Sequence, residues 1–241
     1  MIYLPINSYL TSAFYVISKL LIQNSKEYES YKKYIKKTNS ALPRFSTLLK
    51  LKKKIQKFRP KFIIEFGTGA STIFICEVIK EIQKKNKNYK PKFISIESKK
   101  EWFDKAIAFL PKKYIKDVEI ILSETKEIKV NMFRGIASKN IPEYPYDFIF
   151  IDGPDYHTKY GSSFCADILN VLKLSPKGTL RGVIDCRVST CYVLQQIFGK
   201  NQVKFSPISK VGTINISSKE ISSRLISNNF KYGLNGQLFL K

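Results

Sequence analysis

Glu65, Gly67, Thr68, Gly69 and Ser71 stand close together in FIIEFGTGAST, directly after an apolar run. Glycines at this spacing let a backbone turn tightly and approach a ligand closely, where a Cβ would obstruct it. A dinucleotide loop places a third glycine where Thr72 stands and aims helix N–H groups at a pyrophosphate. The Glu65 carboxylate would repel that pyrophosphate and attract a ligand carrying a positive charge. A tight strand-to-helix turn that binds nothing is the plain alternative.

Further candidates close later apolar runs. Glu97 and Ser98 end FISIES; a carboxylate offers only acceptors, which suits a pair of hydroxyls. In DFIFIDGPDYH, Gly153 and Pro154 turn the chain sharply and leave Asp152 exposed at its bend. His157, the only histidine, has the side chain whose ordinary pKa of about 6.5 suits proton transfer near neutrality, so Asp152 and His157 are the candidate bases. Asp152, Asp155 and Asp185 could together hold Mg²⁺, yet substrate orientation or structural hydrogen bonding explains the same carboxylates, and no metal is assigned. Cys76, Cys165, Cys186 and Cys191 form no CxxC pair, which speaks against zinc; Cys76 and Cys165 fit helical core positions in a reducing compartment.

Each candidate needs an element to position it. From residue 1 to about 60 the chain reads as helices: Tyr9 to Gln23, Lys26 to Lys37, and Ser46 to Phe58 after a turn at Pro43. Leu10, Ala13, Phe14, Ile17, Leu20 and Leu21 repeat at helical spacing, and this stripe is expected to pack on the main domain. Ser8, Thr11, Ser12 and Lys19 interrupt it, so it is too polar to span a bilayer. Strands and helices then alternate: Phe62–Phe66, a helix over 70–85, Phe93–Ile96, a helix over 99–110, Val118–Leu122, Phe148–Ile151, a helix over 161–174, Thr179–Ile184 and a helix over 188–198. That alternation predicts an α/β fold with a doubly wound, mostly parallel sheet. The organisation expected is a helical cap over 1–60 and a ligand-binding domain over 61–241, with further short strands at Val203–Phe205, Val211–Ile216 and Gln237–Leu240. Ligands of such sheets bind beyond the carboxyl ends of the strands, where the candidates are expected to gather.

EFGTGAST resembles the first motif of class I S-adenosylmethionine (SAM)-dependent methyltransferases, and DFIFIDGP and GVIDCR resemble their fourth- and fifth-strand endings. The resemblance runs from about Lys61 to Phe198. It implies a Rossmann-like methyltransferase fold with SAM as cofactor, held by Glu65, Gly67, Thr68, Gly69 and Ser71 at the methionine end and by Glu97 and Ser98 at the ribose, with Asp152 beside it. Ser123 or Glu124 would lie near the adenine, and Trp102 is expected in the core, with a place in the adenine wall as the alternative. Metal-dependent O-methyltransferases of this class usually follow the strand-five Asp with Asn, where this sequence has Cys186. The implied activity is O-methylation, with N-methylation as the alternative, of a small metabolite or saccharide, with the N-terminal helices helping to close the acceptor site.

The formal net charge of +23 raises RNA as an alternative acceptor. The cations are lysines far more often than arginines, the side chain that phosphate and base-edge recognition recruits, so a solvated basic surface is the favoured reading. A non-catalytic SAM-binding or partner-binding module is the other alternative. No start resembling a signal peptide precedes the first helix, and a cytoplasmic location is expected. No pattern in the sequence specifies an oligomeric state.

Overall fold

The computed structural model describes residues 3–40, 43–130, 132–155, 157–158, 161–175 and 178–217. Three helices lead: α1 (Tyr3–Gln23), α2 (Glu27–Thr38) and α3 (Phe45–Phe58). The alternating part follows with β1 (Phe62–Phe66), α4 (Ala70–Lys85), β2 (Lys92–Glu97), α5 (Lys100–Phe109) and β3 (Glu119–Leu122). Next come β4 (Thr125–Val130), β5 (Phe133–Ser138), β6 (Phe148–Ile151) and three two-residue strands, β7 (His157–Thr158), β8 (Gly161–Ser162) and β9 (Phe164–Cys165). The described chain closes with α6 (Asp167–Leu174), β10 (Thr179–Asp185), α7 (Val188–Phe198), β11 (Val203–Ser206) and β12 (Val211–Ser217). The expected strand at Gln237–Leu240 lies outside the described residues.

The main sheet runs β11-β12-β10-β6-β1-β2-β3. Its strands pair in parallel from β10 to β3, while β12 is antiparallel to both β10 and β11. After β1 the chain moves outward through β2 and β3, then returns to place β6 on the other side of β1. Strand order therefore reverses between β1 and β6, which opens a crevice at their carboxyl ends.

Period-two alternation divides the core. Phe148 and Phe150 of β6 face one side of the sheet with Ile63 and Val183, while Ile149 and Ile151 face the other with Ile64, Phe66 and Ile184. The first side is covered by α4 together with α2 and α3, whose Tyr31, Tyr34, Leu48, Leu51 and Ile55 join its apolar cluster. The second is covered by α6, α7 and the β5–β9 pair, through Ala137, Phe164, Ile168, Leu172 and Leu194.

Three expectations are corrected. The connection from β3 to β6 contains a β-hairpin, β4–β5, which β9 extends in parallel. The helix expected from Gly161 begins at Asp167, because Phe164 and Cys165 pair with β5 and Gly161 has a φ of 103°, outside the helical range. Cys165 therefore sits on a buried strand rather than a helix. The apolar stripe of α1 is also turned the other way: Leu10, Ile17, Leu20 and Leu21 are exposed, while Ser18 and Ile22 are buried.

Candidate functional site

At the carboxyl ends of β1 and β6, two loops meet back to back. Gly67 has a φ of 95°, and a Cβ added to it would lie 2.6 Å from the Gly153 nitrogen. The reverse also holds, since a Cβ on Gly153 would lie 2.6 Å from the Gly67 Cα. Phe66 O accepts hydrogen bonds from the Asp152 N–H at 2.9 Å and the Gly153 N–H at 2.5 Å, and the Gly67 N–H donates to Ile96 O at 2.8 Å. Gly67 and Gly153 are thus needed for strand-end packing. Gly69 differs, because a Cβ there meets no atom within 4 Å.

Glu65 is fully buried behind this loop. Its carboxylate accepts hydrogen bonds from Ser71 Oγ at 2.5 Å, Thr72 Oγ1 at 2.6 Å and Ser95 Oγ at 2.7 Å. Thr72 Oγ1 also accepts the Gly69 N–H at 3.0 Å. The residue that replaces a third glycine therefore ties the loop to the carboxylate beneath it. Burial pushes the Glu65 carboxyl up to about 7, against the opposing effect of the three hydroxyl donors.

Glu97, also buried, holds the next loop. One oxygen accepts the Thr68 N–H at 3.0 Å, and the other accepts the Ser98 and Lys99 N–H groups at 2.8 and 2.9 Å. One carboxylate thereby connects the loops after β1 and β2, and the oxygen bound by Thr68 retains one acceptor position for a further donor.

Asp152 and Asp185 end the adjacent strands β6 and β10. The Asp152 carboxyl is raised by burial and then by the Asp185 charge, with Arg187 opposing. The Asp185 carboxyl is also raised by burial, although Thr47 Oγ1 of α3 donates to it. Arg187, itself buried, donates to Pro154 O at 2.7 Å and also to Asp152 O, so it clamps the Asp-Gly-Pro turn from the β10 side.

A cleft of about 230 Å³ opens among these loops. Gly67, Thr68, Gly69, Ser71, Glu97, Ser98 and Asp152 all line it, as do Arg187 and, from the connection between α2 and α3, Ser40 and Pro43. A second hollow of about 290 Å³ abuts it, sharing Ser98, Lys99, Pro154 and Asp155. Together they reach the size of small-molecule sites, roughly 300–1,000 Å³.

The structure does not bring every expected residue into the cleft. Glu65 supports the loop from behind. His157 belongs to β7, where it pairs with Ser162, and its side chain lies outside the described residues. Ser123 accepts the Asn140 N–H at 3.0 Å and Glu124 pairs with Lys139 at 2.6 Å; neither lines the cleft. Asp155 does reach the cleft, lining both hollows from an exposed position 3.4 Å from Lys99 Nζ. Trp102, expected in the core, instead forms part of the cleft wall and carries Lys105 Nζ 4.3 Å from its ring centroid. Arg187, Thr47, Ser40 and Pro43 carry no local sign of their place in the sequence. Only the strand ending before Arg187 pointed toward the crevice.

No protein-family model matches the chain, and neither does any curated protein. Solved structures do. A Staphylococcus aureus protein whose proposed activity is that of a caffeoyl-CoA O-methyltransferase superposes with a TM-score of 0.56 at 18% identity, covering 84% of this chain and 99% of its own. An O-methyltransferase from Bacillus cereus, solved in complex with SAH, gives a TM-score of 0.49 at 18% identity, covering 91% and 86% respectively. The likeness to the Staphylococcus aureus protein shows the fold, a Rossmann-like α/β domain with a mostly parallel sheet.

Proposed function

We propose that this chain binds SAM in the cleft and transfers its methyl group to an oxygen of a small metabolite or saccharide. The observation that carries the proposal is the convergence of the Gly67–Gly69 loop, the Glu97 carboxylate and the Asp152–Pro154 turn where strand order reverses. The residues present fit the cofactor. The position a Cβ would take at Gly69 is open, which leaves room for a ligand against the backbone, and the Glu97 oxygen that accepts only the Thr68 N–H keeps one acceptor position for a ribose hydroxyl. SAM supplies an electrophilic methyl group on a sulfonium.

The remaining work falls to the chain. Gly67, Thr68 and Gly69 line the site with backbone, and Ser71 and Thr72 fix that backbone to the buried Glu65 carboxyl. Glu97 and Ser98 orient the ribose. Methyl transfer is an in-line displacement governed by positioning, and a hydroxyl acceptor also gains from a base that removes its proton. Asp152 suits that task, because burial and the neighbouring Asp185 raise its proton affinity toward neutrality while Arg187 holds its turn in place. His157 is the alternative base. Ser40 and Pro43 bring the N-terminal helices to the cleft, where they can close over an acceptor.

The test is incubation with methyl-labelled SAM and fractionated host extract. Label entering a small-molecule or glycan fraction, and strongly reduced by Asp152→Asn, is the expected result. Label confined to RNA assigns the acceptor to nucleic acid, and label in no fraction leaves a binding module in place of an enzyme.

A further inference from the structure

Helix α1 is built inside out. At about 100° per residue, Tyr9, Leu10, Ala13, Val16, Ile17, Leu20 and Leu21 fall on one continuous arc. That arc faces outward: Val16 is 52% exposed, Ile17 53%, Leu20 54% and Leu21 52%. The opposite side, which packs on the body, is centred on Thr11, Ser18 and Ile22, and the buried Ser18 Oγ has no hydrogen-bond partner among the described residues. Isolated exposed apolar side chains are ordinary, but a contiguous helical face of them marks an interaction surface.

The charge around this face selects its partner. Residues 1–60 carry thirteen Lys and Arg against two Glu. Helix α3 lies against α1, with the Tyr15 and Phe45 rings 5.9 Å apart, and it exposes Lys50, Lys53 and Lys57. Just beyond the carboxyl end of α1 is a hollow of about 450 Å³ whose walls carry Lys26, Lys52, Arg59 and Lys85 against Glu27 and Glu81, with Lys52 paired to Glu27 at 2.8 Å. A second copy of the chain would bring equal positive charge against this surface, whereas an anionic bilayer supplies both an apolar layer and phosphates. Among the described residues no helix is long and apolar enough to cross a membrane, so the contact is peripheral.

We propose that α1 docks the protein on an anionic phospholipid surface, its outward face entering the boundary between headgroups and acyl chains while the flanking lysines engage the phosphates. The docking stands independently of the methyltransferase reading. It is tested by flotation of the full chain with vesicles of phosphatidylcholine alone or with roughly one third phosphatidylglycerol, at low and high salt. The expected result is flotation only with the anionic vesicles, largely released by salt. Ile17→Glu with Leu20→Glu, and separately Lys26→Glu with Lys85→Glu, should each reduce the bound fraction at least tenfold while the thermal melt stays that of the wild type. Absence of flotation with anionic vesicles, equal flotation with neutral ones, or indifference to both variants would overturn the proposal. So would a wild-type dimer in sedimentation that the Ile17/Leu20 variant dissolves without any vesicle binding, which would assign the face to a second copy.

Discussion

The two glycines of the first loop should answer the same substitution in opposite ways. In Gly67→Ala, a side chain must sit at a φ of 95° with its Cβ 2.6 Å from the Gly153 backbone nitrogen. The left-handed conformation costs about 1–2 kcal/mol for a residue with a Cβ, and displacing a backbone neighbour adds about 1–3 kcal/mol. Reduced freedom of the unfolded chain returns only about 0.4–1 kcal/mol. A net loss of about 2–4 kcal/mol lowers the melting temperature of a chain this size by about 5–15 °C. In Gly69→Ala the new methyl meets no atom within 4 Å, so stability should change by less than about 1 kcal/mol while the ligand loses its close approach to the backbone. Thermal unfolding and SAM titration of both variants separate the effects. If Gly67→Ala melts like the wild type, the back-to-back packing of the loops is wrong; if Gly69→Ala binds SAM as the wild type does, the ligand does not lie over that loop.

Two further outcomes follow from buried charge. Because the Glu65 carboxyl is pushed up to about 7 from an ordinary 4.5, its protonation favours the fold: that contribution is complete below pH 4.5 and is lost as pH rises toward 7. Comparing the pH dependence of unfolding in the wild type and Glu65→Gln should show the wild type losing about 3 kcal/mol relative to the variant across this window, and parallel curves would contradict the assignment. Arg187→Met removes the donors to Pro154 O and Asp152 O and the cation that opposes the rise at Asp152. It should cost about 2–4 kcal/mol of stability and move the acid limb of the kcat profile to higher pH, whereas a purely structural role would leave that limb in place.

Much of this architecture was legible because apolar runs and glycine turns are local signals. FIIEF and FIFI read as buried strands, and Glu97, Asp152 and Asp185 follow from strand ends once a parallel sheet is inferred. The β4–β5 hairpin was harder to see. The alternation at Ile128 and Val130 is short and largely solvated, and no Asn-Gly or Asp-Gly marks its turn. Periodicity located the apolar stripe of α1 but could not say whether protein or solvent covers it, since that depends on which side of the helix α2 and α3 occupy. Trp102 and Glu65 show the same limit, because a residue type at a strand end or on a helix fixes proximity to a cleft but not whether the side chain points into it. Arg187 and Thr47 act through contacts with residues distant in sequence, and such contacts leave no local trace.

In the proposed function the cleft holds SAM through the Gly67–Gly69 backbone and the Glu97 carboxylate. Isothermal titration of the full chain with SAM, alongside Glu97→Gln and a control titration with NAD, tests it most directly. The expected result is one SAM per chain, an affinity at least about tenfold weaker in Glu97→Gln, as for a lost hydrogen bond to a charged group, and no comparable binding of NAD. Absence of SAM binding, unchanged affinity in the variant, or tighter binding of NAD would contradict it.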